Sequence, residues 1–388
     1  MIDRDLLSRV RAELAASCDP ALLTNVGGVR HEIRERVRVL AARHARLDAR
    51  MLDALCAELF GYGPLQPLID DPNVTDVLVN SPHEVYVERR GKLERSEARF
   101  GDSAELLDLV HRIAAAVGRE LTLERPYLDV RLSDGSRANV VAAPVGGPTL
   151  CIRKMRRDTL PLRGDVSWVA SGGLSDDAAA FLESCVAQRA NLLVAGATGS
   201  GKTTLLRALA ERIPADERVI VVEDTVELVL AHPHAIRLEC VPAREGHAGV
   251  RVAELVENAL RMRPDRIIVG EIRTPREAYA ALEALATGHP GSATTVHGAD
   301  AVEALSRLEL LLLRAEGALP LEAARAHVRR AFDAVVTVSR GEDGRRRVCA
   351  IDVVGEHGPL PLFVRSGERF RRLAIDPGAF PARLRRAA

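Results

Sequence analysis

Residues 191–204 read NLLVAGATGSGKTT, and no other stretch of the chain says as much about its fold. Residues 196–203 match the pattern Gly-x-x-x-x-Gly-Lys-Thr of a phosphate-binding loop. The apolar run 192–194 before this loop predicts a short buried parallel strand, and residues 204–212 after it have helical spacing. A strand, a glycine-rich turn and a helix in this order are typical of an α/β domain that binds a nucleotide.

The glycines of this loop allow the backbone to turn its N–H groups toward a phosphate, and the helix N-terminus favours negative charge. Lys202 is predicted to reach the outer phosphates, and the Thr203 hydroxyl is predicted to hold Mg²⁺. An accidental match is the alternative, but only Lys92, Lys154 and Lys202 are lysines among 54 Lys and Arg residues, so a lysine here argues against chance. The nucleotide-binding residues predicted in the loop are Gly196, Ala197, Thr198, Gly199, Ser200, Gly201, Lys202, Thr203 and Thr204.

Composition narrows the class of protein. The 54 acidic residues balance the 54 basic ones, and this zero net charge argues against a nucleic-acid partner. None of the six cysteines lies in a C-x-x-C pair, which favours reduced thiols over a zinc site. The first residues, MIDRDLLSRVRAEL, lack the apolar core of a signal peptide, and no apolar run is long enough for a membrane span. We therefore expect a cytoplasmic protein that reaches the inner face of the cytoplasmic membrane only through partners.

Changes in the hydrophobic period divide the chain into four predicted segments. Residues 1–57 have helical spacing throughout, with a break at residues 26–28, and predict a helical N-terminal segment. Residues 58–155 mix strand and helix patterns and predict a smaller α+β domain. Residues 156–173, rich in Arg, Gly and Ser, predict a linker, and residues 174–388 alternate strand and helix as an α/β domain does.

Three later strands of the α/β domain are each predicted to end at an ionisable residue. They are Val219–Val222 before Glu223, Arg266–Val269 before Gly270 and Glu271, and Ala293–Val296 before His297. Because ligands of parallel sheets bind at the carboxyl ends of the strands, these side chains are candidates for a shared site with the phosphate-binding loop.

Each candidate has a chemical role and an ordinary alternative. Glu271 fits a carboxylate that orients the attacking water and supports Mg²⁺, although a solvated acid at a strand end is the alternative. Glu223 could bind a metal-bound water or act as a base, and equally could pair with nearby arginines. His297 fits a sensor of the γ-phosphate, whereas a lone histidine is commonly structural.

Four sequence boxes in this order resemble those of the secretion-superfamily ATPases, which drive type II and type IV secretion and type IV pili. The boxes are GATGSGKTT (196–204), VVEDTVEL (221–228), RMRPDRIIVGEIR (261–273) and TGHPGSATTVHG (287–298). Two further stretches, residues 61–94 and 128–154, resemble the CpaF branch, the motors of tight-adherence (Flp) pili. The resemblance covers about residues 58–355.

The resemblance implies a RecA-like P-loop ATPase domain with a parallel sheet, preceded by a smaller α+β domain. It implies ATP and Mg²⁺ as ligands, with Glu271, Glu223 and His297 as catalytic residues, and Thr203, Glu223 and Glu271 at the metal. It also implies arginines of the α+β domain that reach the phosphates, for which Arg137 and Arg153 are the best candidates and Arg131 a third. A homo-hexamer that moves an inner-membrane platform protein is the implied assembly.

The sequence departs from the family pattern at two points, and two other functions are alternatives to this interpretation. The segment GEIRTPREA lacks the glycine that many relatives have soon after the arginine, which leaves the turn at Arg273 undetermined. The chain has no tetracysteine zinc module of the kind found in many type II secretion motors. A nucleotide-gated scaffold with little turnover and a DNA-transfer motor are the alternative functions.

Overall fold

The computed structural model of this chain describes residues 4–17, 31–89, 91–155, 160–241, 243, 248–315, 319–367, 369–376, 378 and 380–384. The chain divides into two compact units, Met1–Arg156 and Arg157–Ala388, referred to below as unit 1 and unit 2. Apolar clusters form within each unit, so each unit has its own core.

The described N-terminal part of unit 1 is helical. Its helices are α1 (Arg4–Ser17), α2 (His31–Ala41) and α3 (Ala49–Phe60). They bury a common apolar stripe that includes Val10, Val37 and Leu55. The sequence predicted helical spacing throughout residues 1–57, but residues 42–48 are not helical. Helix α3 begins only at Ala49, because the Asp48 side chain accepts a hydrogen bond from the Met51 N–H at 2.8 Å and caps the helix there. The predicted break at residues 26–28 lies outside the described residues.

The rest of unit 1 is an antiparallel sheet with a helix against one face. A short helix α4 (Gln66–Asp70) comes first, and the helix on the sheet is α5 (Ser103–Ala116). The strands are β1 (Val74–Ser81), β2 (Glu84–Arg89), β3 (Lys92–Arg95), β4 (Tyr127–Arg131), β5 (Arg137–Val141) and β6 (Thr149–Arg153), in the order β3-β2-β1-β6-β5-β4. Alternate residues of the strands pack on α5, so the other face remains exposed. The sequence predicted these strands except β3, whose four residues are all exposed.

Unit 2 is built on one mixed sheet in the order β15-β14-β13-β12-β7-β11-β10-β8-β9. The strands are β7 (Leu192–Ala195), β8 (Val219–Glu223), β9 (Ala235–Glu239), β10 (Arg266–Val269), β11 (Ala293–Val296), β12 (Ala334–Arg340), β13 (Arg346–Gly355), β14 (Gly358–Ser366) and β15 (Arg369–Arg372). Six neighbouring strands of this order are parallel to one another, namely β12, β7, β11, β10, β8 and β9. Strands β13, β14 and β15 extend the sheet in antiparallel fashion. The predicted parallel sheet is confirmed, and the antiparallel extension is an addition that the sequence analysis did not include.

Helices cover both faces of this sheet. They are α6 (Asp176–Ala187), α7 (Lys202–Ala210), α8 (Val252–Ala259), α9 (Pro275–Ala286), α10 (Ala301–Leu313) and α11 (Leu321–Ala331). Helices α6 and α7 share one apolar cluster with one set of alternate strand residues, and α8 to α11 share a second cluster with the other set. Both faces of the central strands are therefore buried, which explains their continuous Val, Ile and Leu runs. No helix among the described residues combines the length and apolar character needed to cross a bilayer.

Most of the predicted linker packs onto unit 2. Residues 156–159 lie outside the described residues, and residues 160–173 form turns. Leu162 and Trp168 in these turns are 1% and 0% exposed and belong to the same apolar cluster as α6 and α7. The composition of the segment predicted a linker, and these two apolar side chains anchor its described part in the core of unit 2.

Candidate nucleotide-binding site

The predicted site residues lie at the carboxyl edge of the parallel strands. Strand β7 has β12 on one side and β11 on the other, followed by β10 and β8. The phosphate-binding loop leads from β7 into α7, and Glu223, Glu271 and His297 lie at the ends of β8, β10 and β11. Parallel strands in register end at one edge, so this topology brings the loop and these strand ends to the same edge of unit 2.

The loop is packed so tightly that its glycines are required. A Cβ on Gly196 would lie 2.4 Å from the carbonyl oxygen of Val338 and 2.5 Å from the Ser200 Oγ. Gly201 has a φ of 105°, in the left-handed region that favours glycine, and α7 begins directly after it. Within the described residues the buried Ser200 hydroxyl has no hydrogen-bond partner. A buried hydroxyl without a partner is costly, and a phosphate oxygen in the loop would supply the missing acceptor.

Lys202 is the first residue of α7 and is only 7% exposed. Its Nζ donates to the carbonyl oxygens of Gly196 at 3.0 Å and Ala197 at 3.1 Å, which folds the side chain back over the loop. Burial lowers the pKa of Lys202, although the nearby Glu271 carboxylate acts in the opposite direction. An ammonium held in this way is a charge ready to bind phosphate, which would replace the carbonyl contacts.

Glu271 and His297 meet at Lys202. Oε1 of Glu271 lies 3.0 Å from His297 Nε2 and 3.6 Å from Lys202 Nζ. His297 Nδ1 lies 3.5 Å from the same Nζ. Since the ammonium can only donate, Nδ1 accepts and Nε2 carries the proton that the imidazole donates to Glu271. Burial and the Lys202 charge lower the pKa of His297, so the neutral imidazole that this arrangement needs is favoured at neutral pH.

Arg273 holds the second oxygen of the Glu271 carboxylate. Its Nε and Nη2 both lie 2.6 Å from Glu271 Oε2, and its Nη1 lies 3.4 Å from Asp224. Burial raises the pKa of Glu271, but the hydrogen bond from Arg273 and the charges of Arg273, Lys202 and His297 outweigh it and lower the pKa overall. Glu271 is therefore an ionised acceptor at neutral pH.

The turn at Arg273, which the sequence left undetermined, is fixed by a capping box. The Thr274 side chain accepts a hydrogen bond from the Glu277 N–H, and Glu277 Oε2 accepts from the N–H groups of Arg273 at 2.7 Å and Thr274 at 3.1 Å. Pro275 opens α9 at the position where it needs no N–H partner. This cap supplies the rigid turn for which many relatives have a glycine.

Glu223 lies at the same edge but faces another loop. It is 4% exposed, and its carboxylate accepts hydrogen bonds from the N–H groups of Glu227 at 3.0 Å and Leu228 at 3.1 Å. Burial raises its pKa to about 7, against the effect of these two hydrogen bonds. Among the described residues no hydrogen bond or ion pair joins Glu223 to Lys202, Glu271 or His297. Its catalytic and metal-binding roles therefore stay predictions.

Thr203 and Thr204 occupy the first turn of α7, where the helix end favours anions. The described residues contain no group of three or more His, Cys, Asp or Glu side chains that could hold a metal ion by themselves. Mg²⁺ is commonly held by few protein oxygens together with the phosphates of its nucleotide. The Thr203 hydroxyl is suited to such a site, and its predicted role stays a prediction.

Arg137 and Arg153 form a register pair on adjacent strands of unit 1. Arg131 pairs with Arg137 on the other side, so three arginines form a row across β4, β5 and β6. Asp76 of β1 continues the row beyond Arg153. Arg137 and Arg153 line a cavity of about 290 Å³ with Asp76, Asp129 and Asn139. The predicted role of Arg137 and Arg153 in binding phosphate stays a prediction.

Two arginines beside the loop were missed at the sequence level. A Cβ on Gly201 would lie 2.7 Å from Arg346 Cδ, and one on Gly199 would lie 3.8 Å from Arg340 Nη1. Both residues belong to the hairpin of β12 and β13. The sequence analysis predicted no strand after β12 and therefore did not include a return of the chain to the loop. An arginine-rich turn, RGEDGRRR at 340–347, was the available signal.

The fold and the loop define a P-loop ATPase with a RecA-like nucleotide-binding unit. The family described as "Type II/IV secretion system protein" matches residues 58–337, and the chain belongs to this family. The sequence-based assignment to the secretion-superfamily ATPases is thereby confirmed.

Known relatives and solved structures agree with this assignment. A Mycobacterium tuberculosis protein named "Putative conjugal transfer protein" is 39% identical over 312 residues, which cover 78% of this chain and 87% of that protein. The type IV secretion system protein PtlH of Bordetella pertussis is 36% identical over 326 residues, which cover 75% of this chain and 94% of PtlH. The structure of the pilus retraction motor PilT with bound ADP matches with a TM-score of 0.56 at 22% identity, over 74% of this chain and 80% of PilT, and shows the likeness of the fold.

Proposed function

We propose that this protein is a cytoplasmic motor that couples ATP hydrolysis to assembly or retraction of a type IV-like pilus, or to protein secretion. The observation that carries the proposal is the group of Lys202, Glu271 and His297, whose polar atoms lie 3.0–3.6 Å apart beside the phosphate-binding loop. A positive charge that binds phosphate and an ionised carboxylate that orients a water are groups that promote hydrolysis of a γ-phosphate, and the neutral imidazole of His297 contacts both of them. The tight-adherence (Flp) pilus motors of the CpaF branch remain the proposed subgroup.

The residues divide the work of hydrolysis among them. Lys202 leaves the loop carbonyls for the β- and γ-phosphate oxygens, and Ser200 gains an acceptor. Glu271 accepts a hydrogen bond from a water and orients it for attack on the γ-phosphorus. The bond between the γ-phosphorus and the β–γ bridging oxygen breaks as the water oxygen attacks. His297, which donates to Glu271, senses whether the γ-phosphate is present. Thr203, Glu223 and Glu271 are the residues proposed to hold Mg²⁺, which when bound would supply positive charge to neutralise the phosphate oxygens.

Variants of the central pair test the enzyme function. We expect Lys202→Ala to weaken ATP binding and abolish turnover, and Glu271→Gln to lower turnover by about 100-fold or more while ATP still binds. Glu257→Gln, an exposed carboxylate on α8, is the matched control and should hydrolyse ATP at the wild-type rate. Steady-state phosphate release and calorimetric titration with ATP measure both properties. Undiminished hydrolysis in both site variants would contradict the proposal.

The proposed partners follow from the same family. We propose a homo-hexamer that acts on an inner-membrane platform protein, with Arg137 and Arg153 contributing to nucleotide binding. Light scattering behind size-exclusion chromatography, with and without a slowly hydrolysed ATP analogue, tests the hexamer. A monomer in all nucleotide states would exclude it, whereas failure to bind a purified platform protein would affect only the choice of partner.

DNA transfer is a second candidate because the Mycobacterium tuberculosis relative is named for conjugal transfer. The zero net charge speaks against a DNA-bound motor, since such proteins carry basic surfaces. DNA added to the ATPase assay at low salt decides between them: stimulation by single- or double-stranded DNA would favour DNA transfer, and no stimulation would favour the pilus or secretion motor. Tight ATP binding without turnover, even with the platform partner, would instead indicate a nucleotide-gated scaffold.

A further inference from the structure

The hairpin of β12 and β13 carries two arginines to the flank of the phosphate-binding loop. Arg340 and Arg346 are register partners at the open end of this strand pair. The Arg346 side chain lies over Gly201, where a Cβ would be 2.7 Å from its Cδ, and the Arg340 guanidinium lies beside Gly199. The two residues are referred to below as the hairpin arginines. Their position is fixed by the backbone, because the Val338 carbonyl of β12 is in contact with Gly196 at the start of the loop.

Arg346 also reaches the first turn of α7. Its Nη1 donates to the Thr204 Oγ1 at 3.4 Å. The N-terminus of a helix carries positive partial charge and favours an anion. Lys202 already stands at this helix end, and the hairpin arginines add two more positive charges beside it. The Ser200 hydroxyl, 2% exposed and without a hydrogen-bond partner among the described residues, independently indicates a missing acceptor in the same loop.

The hairpin arginines contact a different part of the loop from the group of Lys202, Glu271 and His297. These three residues contact one another and serve the outer phosphates, as proposed above. Arg346 instead lies against Gly201 and Thr204, where the loop has already become helix. A phosphate chain that follows the loop into the helix N-terminus therefore ends with its innermost phosphate beside Arg346.

We propose that Arg346, supported by Arg340, binds the α-phosphate of the nucleotide; this rests on the proposed ATPase function. The guanidinium offers several N–H donors in a planar fork, which suits phosphate oxygens better than a single ammonium does. Since ATP and ADP both carry an α-phosphate, Arg346 contributes to binding of both and leaves the γ-phosphate chemistry to Lys202, Glu271 and His297.

Substitution of Arg346 tests the proposal through a split between binding and turnover. We expect R346A to raise the Kd for ADP and for a slowly hydrolysed ATP analogue by a similar factor of roughly tenfold or more. KM should rise with them, while kcat at saturating ATP stays within about twofold of wild type. R346K, which keeps the charge without the fork, should fall between R346A and wild type.

Arg345 provides the matched control in the same hairpin. Its side chain is 70% exposed and lies beside Asp343, so R345A should bind both nucleotides as wild type does. Thermal unfolding checks that each variant is folded, and R346Q, which keeps a side chain over Gly201, carries the same expectation if R346A does not fold. Unchanged ADP affinity in a folded Arg346 variant, or a loss confined to the ATP analogue, would overturn the proposal. If wild-type protein binds no nucleotide, the proposed function itself fails.

Discussion

His297 lies against both members of the Lys202–Glu271 ion pair. Lys202 Nζ and Glu271 Oε1 are 3.6 Å apart, and the imidazole lies against both, at 3.5 and 3.0 Å. Its neutral form accepts from one group and donates to the other, so it fixes the orientation of both. In the proposed mechanism, a γ-phosphate that draws Lys202 away also changes the hydrogen bonding of Glu271 and so links the nucleotide state to this carboxylate.

Removal of this imidazole should affect turnover far more than binding. We expect His297→Ala to lower kcat for ATP by about 100-fold, because Glu271 loses the donor that orients it, while the Kd for ADP changes by less than about threefold. His357→Ala, an exposed histidine of the same unit, serves as the control. Phosphate-release kinetics and ADP titration measure the two effects. A normal kcat in His297→Ala would show that the imidazole has a structural role only.

Glu223 makes the stability of unit 2 depend on pH. Burial raises its pKa from the ordinary 4.5 to about 7 in the folded protein. Below about pH 4.5 the group is protonated in both folded and unfolded chains, and its favourable contribution is fully present. As the pH rises to about 7, the unfolded chain loses this proton first, so the free energy of unfolding falls across that window and levels off above it.

Glu223→Gln should remove this part of the pH dependence. The difference in free energy of unfolding between wild type and the variant should change by roughly 2–3 kcal/mol between pH 4.5 and 7, with wild type losing stability as the pH rises. Denaturant unfolding at several pH values measures it, with Glu257→Gln as an exposed control. A difference that stays constant from pH 4.5 to 7 would show that Glu223 titrates normally. Asp352→Asn should behave similarly over a lower window, since burial raises that pKa to about 6.

Among the secondary-structure elements, the parallel strands at the nucleotide-binding edge could be predicted from the sequence. The antiparallel strands β13, β14 and β15 could not. Strands β8, β10 and β11 are short runs of branched apolar residues between turn signals, and the predicted ranges agree with the observed ones within a residue or two. Strand β14 contains Pro359 and Pro361, which argue against a strand inside a sheet. Pro361 is tolerated because it lies at a register shift between β13 and β14.

The sequence could predict only those residues of the candidate site that follow the parallel strands. Lys202, Glu271 and His297 follow strands whose parallel order brings their ends together, so the sequence indicated their proximity. The contact of Arg346 with Gly201 depends on the register of the hairpin of β12 and β13, which the sequence analysis did not predict. No local sequence pattern encodes that register. For Glu223, the predicted position at a strand end was correct, but strand order does not determine where the side chain points. Its carboxylate faces the backbone N–H groups of the following loop.

The capping box of α9 fixes the turn that carries Arg273, the hydrogen-bond partner of Glu271. Thr274→Ala removes the side chain that caps the helix, and we expect a loss of about 1 kcal/mol in the free energy of unfolding. Because the same cap fixes the turn that carries Arg273, kcat should also fall several-fold as Glu271 loses its fixed partner. Ser175→Ala, which removes the cap of α6, should lower stability similarly and leave kcat unchanged. Equal kcat in both variants would separate the cap from the chemistry.

At the scale of the whole molecule, the boundaries 58–155 and 174–388 remain predictions, while the compact units divide at Arg156. The proposed role of Arg137 and Arg153 makes nucleotide affinity a property of the full chain rather than of unit 2 alone. Their register pairing shows that the two candidates share one face of one sheet, whereas the family resemblance had placed them only in neighbouring strands.

Neutralising this pair tests that dependence. We expect Arg137→Ala and Arg153→Ala each to lower kcat/KM for ATP by about tenfold in the full-length protein, because a guanidinium contact to phosphate is lost. Arg99→Ala, an exposed arginine elsewhere in unit 1, should have no effect. ATPase assays at fixed salt, paired with thermal unfolding, provide the measurement. Wild-type kinetics in both variants would remove these arginines from the site.

Trp168 is the single tryptophan of the chain and is 0% exposed in the core of unit 2. Its indole emission therefore reports on that unit alone, while unit 1 is optically silent under excitation selective for indole. A fluorescence melt compared with a circular dichroism melt would then separate the unfolding of the two units in one unlabelled, unmutated sample. Noncoincident transitions would reveal whether a given ligand or variant acts on the tryptophan-bearing half or on the other half.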